Sequence, residues 1–421
     1  MEKIKSVAAW GVVIGIFVTT VVCFMDRVNI SVTAPLMIKE YGWDTKALGV
    51  VFSAFFWGYF LLQLPVGWLA DKFGARKLLG ISMATWGLFS IITPLPKSAF
   101  GLSAVRAGLG VSEAPLMPAQ ASFIARHLPR RMVSRIQAFN LSAIAVGPLV
   151  ATPFAAYLMI HFGWHSVFYA CAVISFLLCT YWVYVTKQAH MTDDVFQPSS
   201  QAVATEKKVV PAIFDQPLKK LEVWGSSMQA GCNSYVFTFV VLWLPTYFVK
   251  ARGMSVQDMA VFSTIPWIVL FVFMNIAGAI VDYVKNNTVH SIFWRRMILV
   301  AGYVWCGTFI LQIQNVQTSK QALMYICIAF VGLGFTWPVG FSLPIEYAGL
   351  KAGLITGFLN CFGQGVSIIQ PLITGYVAAT NNWGLAFVWA AGFSLAGAVV
   401  VLVTSRYNTG VQKAASVTAA S

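Results

Sequence analysis

Residues 42–71 read GWDTKALGVVFSAFFWGYFLLQLPVGWLAD, and residues 253–282 read GMSVQDMAVFSTIPWIVLFVFMNIAGAIVD. Gly42 and Asp71 return as Gly253 and Asp282, both at an offset of 211. Val51-Phe52-Ser53, nine residues after Gly42, returns as Val261-Phe262-Ser263, eight after Gly253. Further on, Trp164 and Phe168 return as Trp383 and Phe387. The chain is therefore two copies of one unit, a repetition to be sought before any motif. Around these landmarks run apolar stretches long enough to cross a bilayer, which takes about 20 residues per helix. The predicted spans are 10–34, 46–69, 77–95, 99–124, 135–159, 164–186, 222–249, 258–281, 294–313, 321–343, 350–378 and 384–404. The fold class is an all-α membrane protein of twelve transmembrane helices in two pseudo-symmetric six-helix bundles. The second copy starts on the same side as the first. Parallel bundles with a cavity between them suit alternating access, whereas a channel needs no such pseudo-symmetry.

Composition agrees. The 421 residues are 58% hydrophobic and only 10% charged, with a mean hydropathy of +0.74. Globular proteins carry roughly 25% charged residues, so a disordered chain, a nucleic-acid-binding domain and a cytosolic enzyme are excluded. The net charge of +14 reads as membrane orientation, because basic residues gather in cytoplasmic loops. Alternate loops hold 20 and six of the Lys and Arg residues, with Arg27 and Arg106 inside spans. This places both termini, and a polar linker at 187–221, in the cytoplasm. The linker separates bundles at 1–186 and 222–421. The N-terminal run lacks a small-residue cleavage site and is expected to remain as the first span. Seven cysteines lie in apolar runs and read as small core residues. The five histidines fall in or near loops or the linker, so no metal cluster is expected. Prolines within spans are tolerated where neighbouring helices re-satisfy the freed carbonyls.

Four strongly ionisable residues lie well inside spans: Asp26, Arg27, Arg106 and Glu113. All belong to the first and fourth helices. A charge at mid-membrane costs at least about 2.5–3.5 kcal/mol, so the four must pair or face water. Arg106 and Glu113 are seven apart and share a helix face, but stand about 10 Å apart in rise. Arg106 is expected to meet Asp26 across the helix interface, leaving Glu113 to face the cavity. A buried carboxylate beside Arg is suited to exchanging a proton near neutral pH. A partly unpaired guanidinium attracts a carboxylate. The second half offers neutral groups instead: Gln229, Asn233, Tyr235, Asn360, Gln364 and Gln370.

Gly67-Trp-Leu-Ala-Asp71-Lys-Phe-Gly74-Ala-Arg76-Lys77 resembles the signature loop between helices two and three of the major facilitator superfamily. A weaker echo stands at Gly278-Ala-Ile-Val-Asp282-Tyr-Val-Lys285. In that loop Gly67 allows close helix contact, Asp71 holds a facing helix terminus, and Arg76 or Lys77 latches the cytoplasmic side; Asp282 is the matching gating residue. Within the superfamily, Asp26-Arg27-Val-Asn29-Ile-Ser31 and Arg106-Ala-Gly-Leu-Gly110-Val-Ser-Glu113-Ala-Pro115, with Pro118, resemble the anion:cation symporters. The resemblance covers the whole chain. It implies protonatable carboxylates at Asp26 and Glu113, a substrate ligand at Arg27, a switching partner at Arg106 and a cavity tyrosine at Tyr59. It implies second-half substrate contacts at Asn360 and Thr336-Trp337, to which Asn233 and Gln364 add polar selectivity. Phe24 and Ile144 stand where sugar-acid members tend to have Tyr and Gln. A polyol would then keep unpaired hydroxyls, so a less hydroxylated acid is favoured.

The expected function is proton-coupled symport of a small organic anion, a sugar acid or a less hydroxylated carboxylate, by a functional monomer in a bacterial inner membrane. The expected partners are that anion, protons and the lipid bilayer, with no nucleic acid and no cofactor. No glycine-rich phosphate loop follows a strand, so energy comes from an ion gradient. The alternatives are an anion exchanger or exporter, a sodium-coupled carrier, and a membrane carboxylate sensor without net transport.

Overall fold

Gly42 and Gly253 recur because each closes a helix in the left-handed region, at φ +67° and +65°, where a side chain is disfavoured. Two residues later the next helix starts on a polar cap. Asp44 Oδ1 accepts from the Ala47 N–H at 2.8 Å, and Ser255 Oγ from the Asp258 N–H at 3.1 Å, the N-cap arrangement. One local device thus turns the chain at the same place in both copies.

The structure, a computed structural model, describes residues 7–63, 65–66, 69, 73–128, 130–191, 221–348 and 352–405. The helices, in chain order, are α1 (Val7–Tyr41), α2 (Thr45–Gln63), α3 (Ala75–Ile92), α4 in two segments (Ala99–Glu113 and Leu116–His127), α5 (Arg130–Phe162) and α6 (His165–Gln188). The second half follows with α7 (Leu221–Thr246), α8 (Val256–Asn287), α9 (Ser291–Gln312), α10 (Ser319–Ala348), α11 (Ala352–Ala379) and α12 (Trp383–Ser405). Among the described residues there is no strand, and nine helices are long and apolar enough to cross a membrane. The fourth span, read over 99–124, carries Pro115 and Pro118 within it. It breaks at Ala114–Pro115 because proline has no N–H to continue the ladder; the Pro115 carbonyl instead accepts from the Ala119 N–H at 2.9 Å. The linker from 192 to 220 lies outside the described residues.

Packing repeats as the sequence does. In the first half α1 packs on α5 and α6, α2 and α3 on α4, and α3 on α6. In the second, α7 packs on α11 and α12, α8 and α9 on α10, and α9 on α12. Adding six to each helix number turns the first set into the second. Between halves, α2 meets α11 and α5 meets α8, two contacts exchanged by the same operation, while α1 meets its own counterpart α7. Large apolar side chains such as Leu61, Leu177 and Val399 point outward, as a lipid-facing wall requires. Buried Thr and Ser hydroxyls bond to carbonyls of their own helices, as Thr33 to Asn29 at 2.8 Å and Thr186 to Trp182 at 2.6 Å. A water-free interior needs such internal satisfaction.

Two close crossings locate the site. A Cβ on Gly58 would collide with the Ala107 carbonyl, and one on Gly110 with the Phe55 carbonyl. Backbone therefore lies on backbone where α2 meets α4, pressing Phe55 and Tyr59 towards Arg106 and Glu113. The second crossing joins the halves: Thr45 Oγ1 donates to the Gly375 carbonyl at 3.0 Å and Ser53 Oγ to the Ile368 carbonyl at 2.7 Å.

Candidate substrate and ion site

Helix α1 presents Cys23 and Arg27, one turn apart, to α4. Arg27 Nε donates to Glu113 Oε2 at 3.0 Å, and the Cys23 thiol donates to the same oxygen at 3.0 Å. Glu113 is fully buried, while the Arg27 side chain keeps 12% of its surface. Arg27 reaches Glu113 through Nε alone, and Glu113 Oε1 has no partner. Three rings surround the guanidinium: Phe24 and Tyr59 with centroids at 4.8 Å, and Phe55 at 5.1 Å. The other face of this cluster belongs to Arg106, whose guanidinium lies 4.9 Å from the Phe55 centroid. Phe55 is thus shared by two cations, each in an attractive arrangement worth about 0.5–2 kcal/mol. Arg106 Nε and Nη1 are buried without a hydrogen-bond partner.

The expected pairing is corrected here. Glu113 does not stand apart in the cavity; it takes Arg27, and no ion pair joins Asp26 to Arg106 among the described residues. Neighbouring residues on a helix point about 100° apart, so Asp26 and Arg27 are aimed differently. Asp26 turns towards Asn29, whose Nδ2 lies 3.5 Å from Asp26 Oδ1 and 2.8 Å from Cys171 Sγ on α6. Asp26 Oδ2 has no partner. The four charges are therefore neither fully mated nor evenly exposed. Cys23, read from sequence as packing, bonds to the central carboxylate; its spacing of four before Arg27 was the available signal. Phe55, four before Tyr59, was likewise legible as a face but not as a shared cation partner.

Across the interface the second half answers with rings. Phe24 meets Phe237 of α7 edge-on at 6.4 Å. Phe237 meets Trp267 of α8 at 5.8 Å and Trp337 of α10 at 5.2 Å, and Trp267 meets Phe330 at 5.7 Å. Phe237 and Trp267 were not singled out from sequence, because apolar rings in apolar spans carry no distinguishing pattern. Asn233 is buried and its Oδ1 accepts from Thr336 Oγ1 at 2.7 Å. Gln229 donates to the Tyr303 hydroxyl at 2.5 Å, and Tyr235 stacks on Phe393 at 3.9 Å. Gln370 donates to Thr374 at 2.7 Å. On α11, Asn360 is half-buried and Gln364 Oε1 is buried without a partner. Of the expected gating residues, Gly67 and Asp71 lie outside the described residues. Arg76 Nε donates to Thr186 Oγ1 at 2.7 Å, tying α3 to α6 within its own half. Asp282 is exposed near the end of α8.

Comparison with known proteins covers nearly the whole chain. The family model described as Major Facilitator Superfamily matches residues 16–368. An Arabidopsis thaliana chloroplast protein named sodium-dependent phosphate transport protein 1 is 26% identical over 399 residues, covering 93% of this chain and 78% of that one. The Escherichia coli protein named "Probable galactarate/D-glucarate transporter GarP" is 28% identical over 431 residues, covering 95% and 96%. Among solved structures, a bacterial homologue of the human lysosomal transporter Spinster, inward-facing and unoccupied, superposes with a TM-score of 0.75 at 14% identity, covering 96% and 98%.

Proposed function

Because the chain belongs to the Major Facilitator Superfamily, and is thus a multi-pass membrane transporter and not an enzyme, we propose that it is a proton-coupled symporter of a small organic anion. The observation that carries this reading is the one-sided ion pair at the meeting of two repeated bundles. Arg27 gives Glu113 only its Nε, at 3.0 Å, which leaves the rest of a guanidinium fork for a carboxylate. With Glu113 ionised, the pair is neutral and holds an anion weakly. A proton on Glu113 removes the counter-charge, and Arg27 then binds the anion. Bound anion in turn favours the protonated acid, since coupling between two sites is reciprocal. The empty carrier and the carrier with both ligands are the neutral states of this pair, and moving a net charge through a bilayer is the costly alternative. Asp26, with one unpartnered oxygen, is the second proton-binding group, and Arg106, on α4 of the same bundle, is its switching partner. Both termini lie in the cytoplasm and the carrier resides in a bacterial inner membrane, a placement supported by the 20-to-six asymmetry of basic residues and the positive-inside rule.

The test is uptake of labelled organic acids into proteoliposomes under an imposed pH gradient. Accumulation against the anion gradient when the outside is acid, abolished by a protonophore and indifferent to sodium, is the expected result. Accumulation that follows a sodium gradient instead would transfer the coupling to sodium, and one-for-one exchange unaffected by either gradient would make the protein an exchanger.

A further inference from the structure

We infer that the site takes a monocarboxylate with a flat, apolar body in preference to a polyhydroxylated acid; this rests on the anion-carrier reading above. The Arg27 fork is walled by Phe24, Phe55 and Tyr59, with centroids 4.8–5.1 Å from its central carbon. A carboxylate held there projects its body along aromatic faces. The nearest structural continuation is Phe237, edge-on to Phe24 at 76°, backed by Trp337 and Trp267 at interplanar angles of 67° and 78°. Edge-to-face rings of this kind suit another ring or a branched alkyl group.

Several of the polar side chains that could meet a row of hydroxyls are already engaged. Asn233 Oδ1 is taken by Thr336, Thr238 by Ser367 at 2.9 Å, Gln229 by Tyr303, and Asn29 Nδ2 by Asp26 and Cys171. Each ligand hydroxyl left unpaired on burial is expected to weaken binding by about tenfold. Beside the Arg27 fork, the atoms without a partner include Nε and Nη1 of Arg106, the acid oxygens Asp26 Oδ2 and Glu113 Oε1, and the neutral Asn29 Oδ1, Tyr235 hydroxyl, Gln364 Oε1 and Gln370 Oε1. The groups stacked against the Arg27 guanidinium itself are rings, and a ring face suits an apolar ligand body better than a row of hydroxyls. The repeat sharpens the point. At the offset of 211, Asp26-Arg27 of α1 falls on Phe237-Thr238 of α7, so the second copy replaces the charged pair with a ring and a hydroxyl bonded elsewhere.

The experiment measures binding to the purified full-length protein in detergent, by calorimetry and thermal shift at pH 6, with benzoate, 4-hydroxybenzoate, D-gluconate and inorganic phosphate. Benzoate and 4-hydroxybenzoate are expected to bind at least tenfold tighter than gluconate. Phe237→Ala should cut that advantage at least fivefold. Should that variant fail to fold, Phe24→Tyr, which adds a hydroxyl beside Arg27, is expected to narrow the gap from the gluconate side. Gluconate binding as tightly as benzoate overturns the inference while leaving an anion carrier intact. If none of the four probes binds, and Arg27→Ala behaves as wild type towards all of them, the anion-carrier reading falls with it.

Discussion

The same three helices of the repeat do opposite things in the two halves. In the first, α1, α2 and α4 gather Arg27, Glu113 and Arg106 around Phe55 and Tyr59. In the second, α7, α8 and α10 gather Phe237, Trp267, Phe330 and Trp337. The backbone arrangement is shared, since the main helix contacts of one bundle have their counterparts in the other. The difference lies in side chains alone. One copy has concentrated ionisable groups, where protonation has leverage on anion affinity, and the other offers a wall without titratable groups at the meeting point. Under the proposed function, the duplication separates energy coupling from recognition of the substrate body.

The largest effect on this division is expected from Arg27→Ala. Transport should fall below detection, and the fold should lose about 3–5 kcal/mol because Glu113 is left buried without its partner. The double variant Arg27→Ala/Glu113→Gln should recover most of that stability in a detergent melt, and none of the uptake. Uptake at wild-type rates by Arg27→Ala would remove the anion ligand from the first half. Next comes Glu113→Gln alone, which imitates the protonated acid: counterflow of anion should persist within a few-fold, whereas accumulation driven by a pH gradient should disappear. Uphill transport by this variant would move coupling to another acid, Asp26 first.

Smaller changes probe the frame. In Gly110→Ala the new methyl meets the Phe55 carbonyl, and overpacking of this kind costs about 1–3 kcal/mol. The melt should shift down, and transport should fall with it because the Phe55 ring moves between two cations. The smallest effect is expected in the second half, from Ser367→Ala. It removes one buried hydrogen bond to Thr238 at 2.9 Å, worth about 1 kcal/mol, and should leave the pH dependence of uptake unchanged. A shifted pH dependence in that variant would break the proposed division between the halves.

Much of the architecture was legible along the chain, because its causes are local. Apolar length marks a span wherever it occurs, and glycine with positive φ and a following cap mark a turn. Both Gly42 and Gly253 could be read so, and the repeat they announce is the repeat the helices form. The break at Pro115 was also local, but a proline within a span is equally compatible with a kink, and only the surrounding hydrogen bonds decide between the two. The identity of the charged quartet was legible for another local reason: four ionisable residues in apolar runs are conspicuous against their surroundings.

Who pairs with whom was decided by the tertiary structure. Asp26 and Arg27 are adjacent in sequence, yet a helix turns them to different neighbours, and which neighbour each meets depends on where α4 and α6 lie. The placement of α4 is set by the close crossing of Gly58 on Ala107 and Gly110 on Phe55, contacts between residues far apart in the chain. The ring wall is likewise invisible in one dimension, since Phe237 looks like any other apolar residue until Phe24 is found against it. Helices and turns follow from interactions a few residues long; an ion pair or an aromatic wall between helices follows from the angle and distance at which whole helices pack.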